Sequence, residues 1–392
     1  MRANTRKRVL IIVLDSCGCG GDPQAADYGD EGADTLAHTA AAVGALNLPN
    51  LEALGLGNIS AIPGVPATPS PRAAYGRMQE RSNGKDTTTG HWEIAGLITR
   101  EPFQVFDHGF PKELIDAFAR ETGRAVIGNK AASGTVIIEE LGPEQLRTGA
   151  WIVYTSADSV FQIAAHEEKI PLSELYAACK VARRLCDPLR IARIIARPFV
   201  GEPKSFKRTY NRHDFGMPPP APTLLDLLHD AKLPVVGVGK ISDIFSGRGL
   251  TESIHSEGNA DGLEKTAERF ARLDGGLLFV NLIDFDMVYG HRRNPRGFAD
   301  ALGEFDAFLP RLLPLVGSND LLLLTADHGN DPTYPGTDHT REQVPLLAYG
   351  PAHAAGKNLG LRDCFADVAA TTAEVLGLAP LASGKSFHQE IA

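Results

Sequence analysis

The run NDLLLLTADHGN, residues 319–330, sets four consecutive leucines before an aspartate and a histidine. A short apolar run that ends in polar, glycine-flanked residues reads as a strand buried on both faces, the kind found in parallel sheets covered by helices. Working outward, RVLIIVLD (8–15) and GGLLFVNLIDFD (275–286) repeat the pattern, each closing on acids at its C-terminal end. Helical periodicities lie between such runs, in PTLLDLLHDAK (222–232) before LPVVGVGK and in GLEKTAERFARL (262–273) before GGLLFV. Strand and helix alternating in this way predict an α/β sheet with helices on both faces and its chemistry at the carboxyl ends of the strands.

The middle of the chain reads differently. Residues 101–217 carry a helix-like PKELIDAFARETG, strand-like AVIG and TVIIEE, WIVYTSADSV, a helical LSELYAACKVARRLC, and RIARIIARPFV. This predicts a self-sufficient α+β unit, and the stiff MPPPAP (217–222) marks its end. With strand-end acids on both sides of it, the unit reads as an insertion at 101–217 into a larger domain made of 1–100 and 218–392. AHTAAAVGAL (37–46) reads as a helix.

Composition narrows the class. A chain of 392 residues with 43% hydrophobic and 22% charged side chains predicts two globular domains with sizeable cores. A net charge of −9 argues against a nucleic-acid partner, which demands a basic face. No apolar run approaches the roughly 20 residues of a membrane span. The opening MRANTRKRVLIIVLDS imitates a signal peptide, but Asp15 cuts its apolar stretch short, so a cytoplasmic chain is expected. Cysteines at 17, 19, 179, 186 and 364 form neither a disulfide framework nor a zinc pattern and fit a reducing compartment. Cys17 and Cys19 read as small residues in a tight turn.

The acids and histidines at the strand ends are Asp15, Asp284, Asp286, His291, Asp327, His328 and His339. Taken singly, each could cap a helix or satisfy a turn. Taken together, carboxylates and imidazoles delivered by three strands to one crevice are the ligands of Mn²⁺ or Zn²⁺, in numbers that suit two ions. The stretch GKDTTTGHWE (84–93) leaves two readings open: a hydrophilic helix cap, or a threonine nucleophile whose helix N-terminus receives a phosphate.

The DS turn after the first strand, GKDTTTGHWE, YTSADSVFQIAAHE, ARPFVGEP, FKRTYNRHDF, VGKISDIF, DFDMVYGHRRN and TADHGNDPTYPGTDHTRE together resemble the phosphopentomutase family of the alkaline phosphatase superfamily, from about residue 8 to residue 386. The resemblance implies an alkaline-phosphatase-like core sheet, residues 1–100 and 218–392, that binds metal and carries catalysis. The insert at 101–217 would be a cap that binds substrate and keeps water from the site. Thr87 matches the position that carries a phosphoryl group. Asp15, Asp327 and His328 match the ligands of one Mn²⁺, and Asp286, His291 and His339 those of a second. Asp284 matches no ligand position and is read as a supporting or turn residue, with Thr88 and Thr89 as local scaffolding. Between Arg183 and Arg212 there are nine Lys and Arg against two acids, a basic island suited to a sugar-phosphate dianion. Within it the resemblance places Arg193 and Arg208 near the substrate phosphate, while Arg183, Arg184 and Arg190 read as a solvated helix face. Asp158 and Lys240 resemble residues that contact the sugar or its phosphate.

The implied reaction interconverts ribose or deoxyribose 1-phosphate and 5-phosphate through phosphothreonine and a 1,5-bisphosphate, after priming by a sugar bisphosphate. The implied partner is a small sugar phosphate, without nucleic acid or membrane. The nearest alternative is a cofactor-independent phosphoglycerate mutase or metal-dependent phosphatase, which would lack HWEI and YGHRRN. A metal-stabilised binding protein is the alternative outside catalysis, and the complete set of ligands and hydroxyl argues against it.

Overall fold

The strand Arg8–Leu14 lies inside an eight-stranded sheet because the segments on either side of it are as apolar as it is. It pairs in parallel with Gly276–Leu282 and with Leu321–Thr325. Val13 faces both Asn281 and Thr325, so the three strands end level. Val235–Val238 and Glu252–Ile254 extend the parallel side. Beyond Leu321–Thr325 one strand reverses: Val344–Tyr349 runs antiparallel both to Leu321–Thr325 and to Ala74–Met78, and Asn358–Arg362, parallel to Ala74–Met78, closes the edge. This computed structural model describes residues 7–156 and 159–392. The sheet belongs to a unit that runs to Glu101 and resumes at Ala221, and the second unit is Pro102–Pro220. Within the first unit, Leu224 N–H donates to Ala95 O at 2.8 Å, joining the segments on either side of the insertion.

The second unit has its own six-stranded sheet, in which Val126–Ala131, Trp151–Thr155, Val160–His166 and Arg193–Val200 are flanked by Lys207–Arg208 and His213–Gly216. One face packs Phe118, Trp151, Phe161 and Ile194 with helices Lys112–Thr122 and Leu172–Cys186. The other packs Ile152, Tyr154 and Phe199 with Ile137 and Ile138 of helix Gly134–Thr148. TVIIEE, expected as a strand, is therefore helical. Its apolar residues continue at Leu141 on the face that turns inward, whereas Val136 is exposed, which is helical spacing rather than alternation. Arg183, expected on a solvated face, is instead largely covered. It pairs with Asp187 at 2.6 Å and donates to the carbonyls of Ile191, Ala192 and Phe215, so it ties a helix to the strand that follows.

All five cysteines are free and buried. Among the described residues, no helix is long and apolar enough to cross a membrane.

Glu342 fastens the loops at the carboxyl ends of the first unit's strands. Its carboxylate accepts from the Thr35 hydroxyl at 2.6 Å and amide at 2.9 Å, from the Thr340 hydroxyl at 2.7 Å and from Gly20 N–H at 3.0 Å. A Cβ at Gly18 or Gly329 would meet this carboxylate at 2.4 or 2.2 Å, so only glycine allows the loops to close on it. Burial pushes the carboxyl from 4.5 up to about 7, although the hydrogen bonds oppose the rise. The folded state thus holds this proton more tightly than the unfolded chain. The contribution is full below about pH 4.5 and is lost as the pH rises through about 7, a change of about 3 kcal/mol. Glu342→Gln should therefore gain stability relative to the parent between pH 5 and pH 8 in denaturant melts, and equal pH slopes for the two proteins would clear Glu342 of the effect.

Candidate metal centre and nucleophile

The level strand ends deliver two groups of ligand-type side chains. In the first, Asp15, Asp327 and His328 each offer one atom within 4.8 Å of the others. His328 Nε2 lies 3.5 Å from Asp15 Oδ1 and 3.3 Å from Asp327 Oδ2. His328 Nδ1 donates to Gly329 O at 3.0 Å, which turns Nε2 toward the carboxylates. In the second group His291 Nε2 and His339 Nε2 each lie 3.3 Å from Asp286. His291 Nδ1 donates to Thr337 O and so turns its Nε2 toward Asp286 in the same way. The His328 and His339 rings are 4.2 Å apart, so the groups are neighbours.

Ser16 joins them. Its amide donates to Asp327 Oδ1 at 3.1 Å and its hydroxyl to Asp286 Oδ1 at 2.8 Å. It does so from a left-handed backbone, φ 72°, which a non-glycine residue adopts only when its surroundings impose it. Asn330 adds a second donor to Asp286.

GKDTTTGHWE folds as the turn and helix that carry Thr87 to this place. Asp86 caps helix Thr87–Ile94 by accepting from the Thr89 amide and hydroxyl, which accounts for one of the three hydroxyls. Thr87 occupies the first helical position, with Oγ1 3.1 Å from His328 Nε2. Gly90 is required because its Cβ would sit 2.3 Å from Asp327 O. Trp92 anchors the helix by donating to Ile244 O. Glu93 reaches back to accept from the amides of Arg81 and Ser82. The buried Arg341 completes the hold: it pairs with Asp22 and Glu80 and donates to the carbonyls of Ser82 and Gly84, just ahead of the Thr87 turn. Lys85 bridges Asp30 and Asp338.

Electrostatics shows what the groups lack. Burial, then the Asp327 and Asp286 carboxylates, push Asp15 well above the usual carboxylate range. Burial would lower His328, but Asp327, Asp15 and Asp286 outweigh it and carry the imidazole to about 9. Burial likewise opposes ionisation of Asp286, yet His339 and His291 hold it well below the usual range. Asp15 Oδ1 and His339 Nε2 have no hydrogen-bond partner among the described residues. Buried acceptors left over in two mixed carboxylate–imidazole sets are what divalent metal ions require, and the residues fit such ions.

Other residues singled out from the sequence fall elsewhere. Asp284 accepts from the Asn259 amide at 2.7 Å and holds the start of helix Asn259–Ala271, a structural task. Lys240 precedes the short helix Ile241–Ile244. Arg193 and Arg208 lie on strands of the second unit, Arg193 within 3.7 Å of Asp214. Asp158 lies outside the described residues. Ser16, His91, Asn281, Glu342 and Arg341 escaped sequence reasoning, although each stands beside a residue or motif that did not.

A model of the metalloenzyme superfamily matches residues 7–380. The PH0037 protein of Pyrococcus horikoshii shares the fold, with a TM-score of 0.50 at 16% identity over 97% of this chain and 100% of that one. The chain is thus an α/β member of the metalloenzyme superfamily. The phosphopentomutase of Anaeromyxobacter dehalogenans is 58% identical over 390 residues, covering 99% of each chain. That of Kosmotoga olearia is 53% identical over 386 residues, 98% of this chain and 99% of that one. The chain belongs to the phosphopentomutase family, whose members are isomerases of the intramolecular phosphotransferase type.

Metal-free protein should gain thermal stability on titration with a divalent cation, by about 3 kcal/mol near 100 times the dissociation constant. His339→Ala deletes a candidate ligand of the Asp286 group alone and should retain one ion where the parent retains two. Undiminished metal content in that variant would remove His339 from the ligands.

Proposed function

We propose that the protein interconverts ribose 1-phosphate and ribose 5-phosphate, and the 2-deoxy forms, by passing a phosphoryl group through Thr87. The observation that carries this reading is the Thr87 hydroxyl itself, at the first turn of a helix and 3.1 Å from His328 Nε2, beside both ligand groups. Asp15, Asp327 and His328 would hold one divalent ion and Asp286, His291 and His339 the other. When bound, the ions, which we take to be Mn²⁺, offset the charge spread over the transferring oxygens.

Phosphorylated Thr87 meets a sugar monophosphate. The bond between phosphorus and Thr87 Oγ1 breaks as a bond to the free sugar hydroxyl forms, and the hydroxyl's proton ends on Thr87. The product is a 1,5-bisphosphate, which reverses its orientation and returns its other phosphoryl group to Thr87. Free amides at the start of the Thr87–Ile94 helix favour the anionic group throughout. An unphosphorylated threonine has nothing to give, so a sugar bisphosphate must prime the cycle.

Arg193, Arg208 and Lys240 are assigned to the phosphate that is not being transferred, and Asp158 to the sugar. Support comes from the second unit taken by itself. The Tyr154 hydroxyl is buried without a hydrogen-bond partner among the described residues, and a Cβ at Gly134 would sit 2.7 Å from it and 3.7 Å from Arg208 Nη1. Arg197 donates to Gln162 at 3.0 Å and is lowered by burial and by the charges of Arg212 and Arg208. Crowded guanidinium groups and an idle phenol suit a phosphate dianion. Five buried free thiols accord with a reducing, cytoplasmic setting.

Incubated with ribose 5-phosphate and a sugar bisphosphate, the protein should produce acid-labile ribose 1-phosphate. Release of inorganic phosphate, or turnover of 3-phosphoglycerate instead, would overturn the assignment. Thr87→Ala should keep the fold and lose on the order of 10⁴-fold or more in rate. Mass spectrometry should find a phosphate on the 84–93 peptide of the parent and none on that of the variant.

A further inference from the structure

His91 and Asn281 lie fully buried behind the first ligand group. His91 Nδ1 is 2.9 Å from the carbonyl oxygen of Thr87 and 3.0 Å from Asp327 Oδ2. Both neighbours only accept, so Nδ1 carries the proton and Nε2 the lone pair. That lone pair receives Asn281 Nδ2 at 3.2 Å, and the same amide nitrogen gives its other hydrogen to Asp15 Oδ2 at 2.8 Å. One imidazole and one amide thus connect the backbone of Thr87 to two of the three ligands beside it.

A buried histidine is ordinarily a satisfied core residue. Two observations argue for more here. Both ring nitrogens end on the site or on the residue that holds it. Asn281 leaves its own Oδ1 without a partner among the described residues, a cost that an apolar residue in the same space would avoid. Phe279 packs beside the His91 ring, their centroids 5.8 Å apart.

We infer that His91 and Asn281 are positioning residues that hold Asp15 and Asp327 in their ligating orientation and bind the Thr87 turn to them. Ion uptake by this group and the alignment of the nucleophile then become one event. The inference rests on the proposed roles of Thr87 and of the Asp15, Asp327 and His328 group, and it adds residues that touch neither the phosphoryl group nor an ion.

The test titrates metal-free full-length protein with Mn²⁺, counting equivalents, for the parent, His91→Asn, His91→Gln, His91→Phe and Asn281→Leu. Asparagine places its amide nitrogen where Nδ1 stands, and glutamine places its own where Nε2 stands. His91→Phe and Asn281→Leu should weaken one ion equivalent about 10- to 100-fold and leave the other unchanged. His91→Asn should recover most of that loss and His91→Gln should not. At saturating sugar bisphosphate, the rate of Thr87 phosphorylation should fall in the weakened variants with little change in KM. Parental affinity for both equivalents in His91→Phe and Asn281→Leu would overturn the inference, as would a His91→Asn protein as impaired as His91→Phe. Should His91→Phe fail to fold, Asn281→Leu decides alone, because it leaves the helix untouched. A parent that takes up no ion would sink the metal reading itself, an outcome separate from a parent that binds two ions and variants that bind as it does.

Discussion

Like charges gathered out of water govern this structure. Asp15, Asp286 and Asp327 are all buried at the ends of adjacent strands, where each additional carboxylate raises the cost of ionising the next. The protein answers with donors: Ser16 to two of them, Asn281 to Asp15, Asn330 to Asp286, and the His328 amide to Asp327. Those bonds fix one face of each carboxylate and leave the other for a cation. The sheet register makes this possible, because a slip of one residue in any of the three strands would turn its terminal acid away from the others.

The same economy shapes the placement of Thr87. Helix Thr87–Ile94 is short, and its hold comes from buried partners rather than from helix propensity. Glu93 grips the loop before it, Trp92 the neighbouring short helix, and Arg341 the carbonyls between. Arg341 stands two residues after His339, so a single loop supplies both an imidazole of the second cluster and the clamp on the Thr87 turn. Its planar fork meets side-chain and backbone acceptors at once, a geometry that lysine does not offer.

Much of this could be read from the chain because its signals are local. Leucine and valine runs ending in acids announce buried strands and their chemistry, and Asp15, Asp327 and His328 need only level strand ends to converge. The misreadings arose where the decisive partner is distant in sequence or where a short window is ambiguous. TVIIEE has the branched residues of a strand, and only the sheet face that receives Ile137 and Leu141 shows it to be a helix. Arg183 looks solvated until the carbonyls of Ile191 and Phe215 fold over it. Nothing in HWE announces that its histidine backs an aspartate 236 positions later, since that contact exists only once the strands are paired.

The hydrogen bond from Leu224 to Ala95 bears on how such a chain changes over time. The two halves of the first unit meet at that point through their own backbone, so the long excursion between them is a closed loop whose entropic cost grows only with the logarithm of its length, about 0.6 kcal/mol per doubling. Lengthening, trimming or replacing the excursion is therefore cheap for the sheet that bears the acids. The acid-bearing sheet and the excursion are separable stretches of one polypeptide, and either can drift while the other is held.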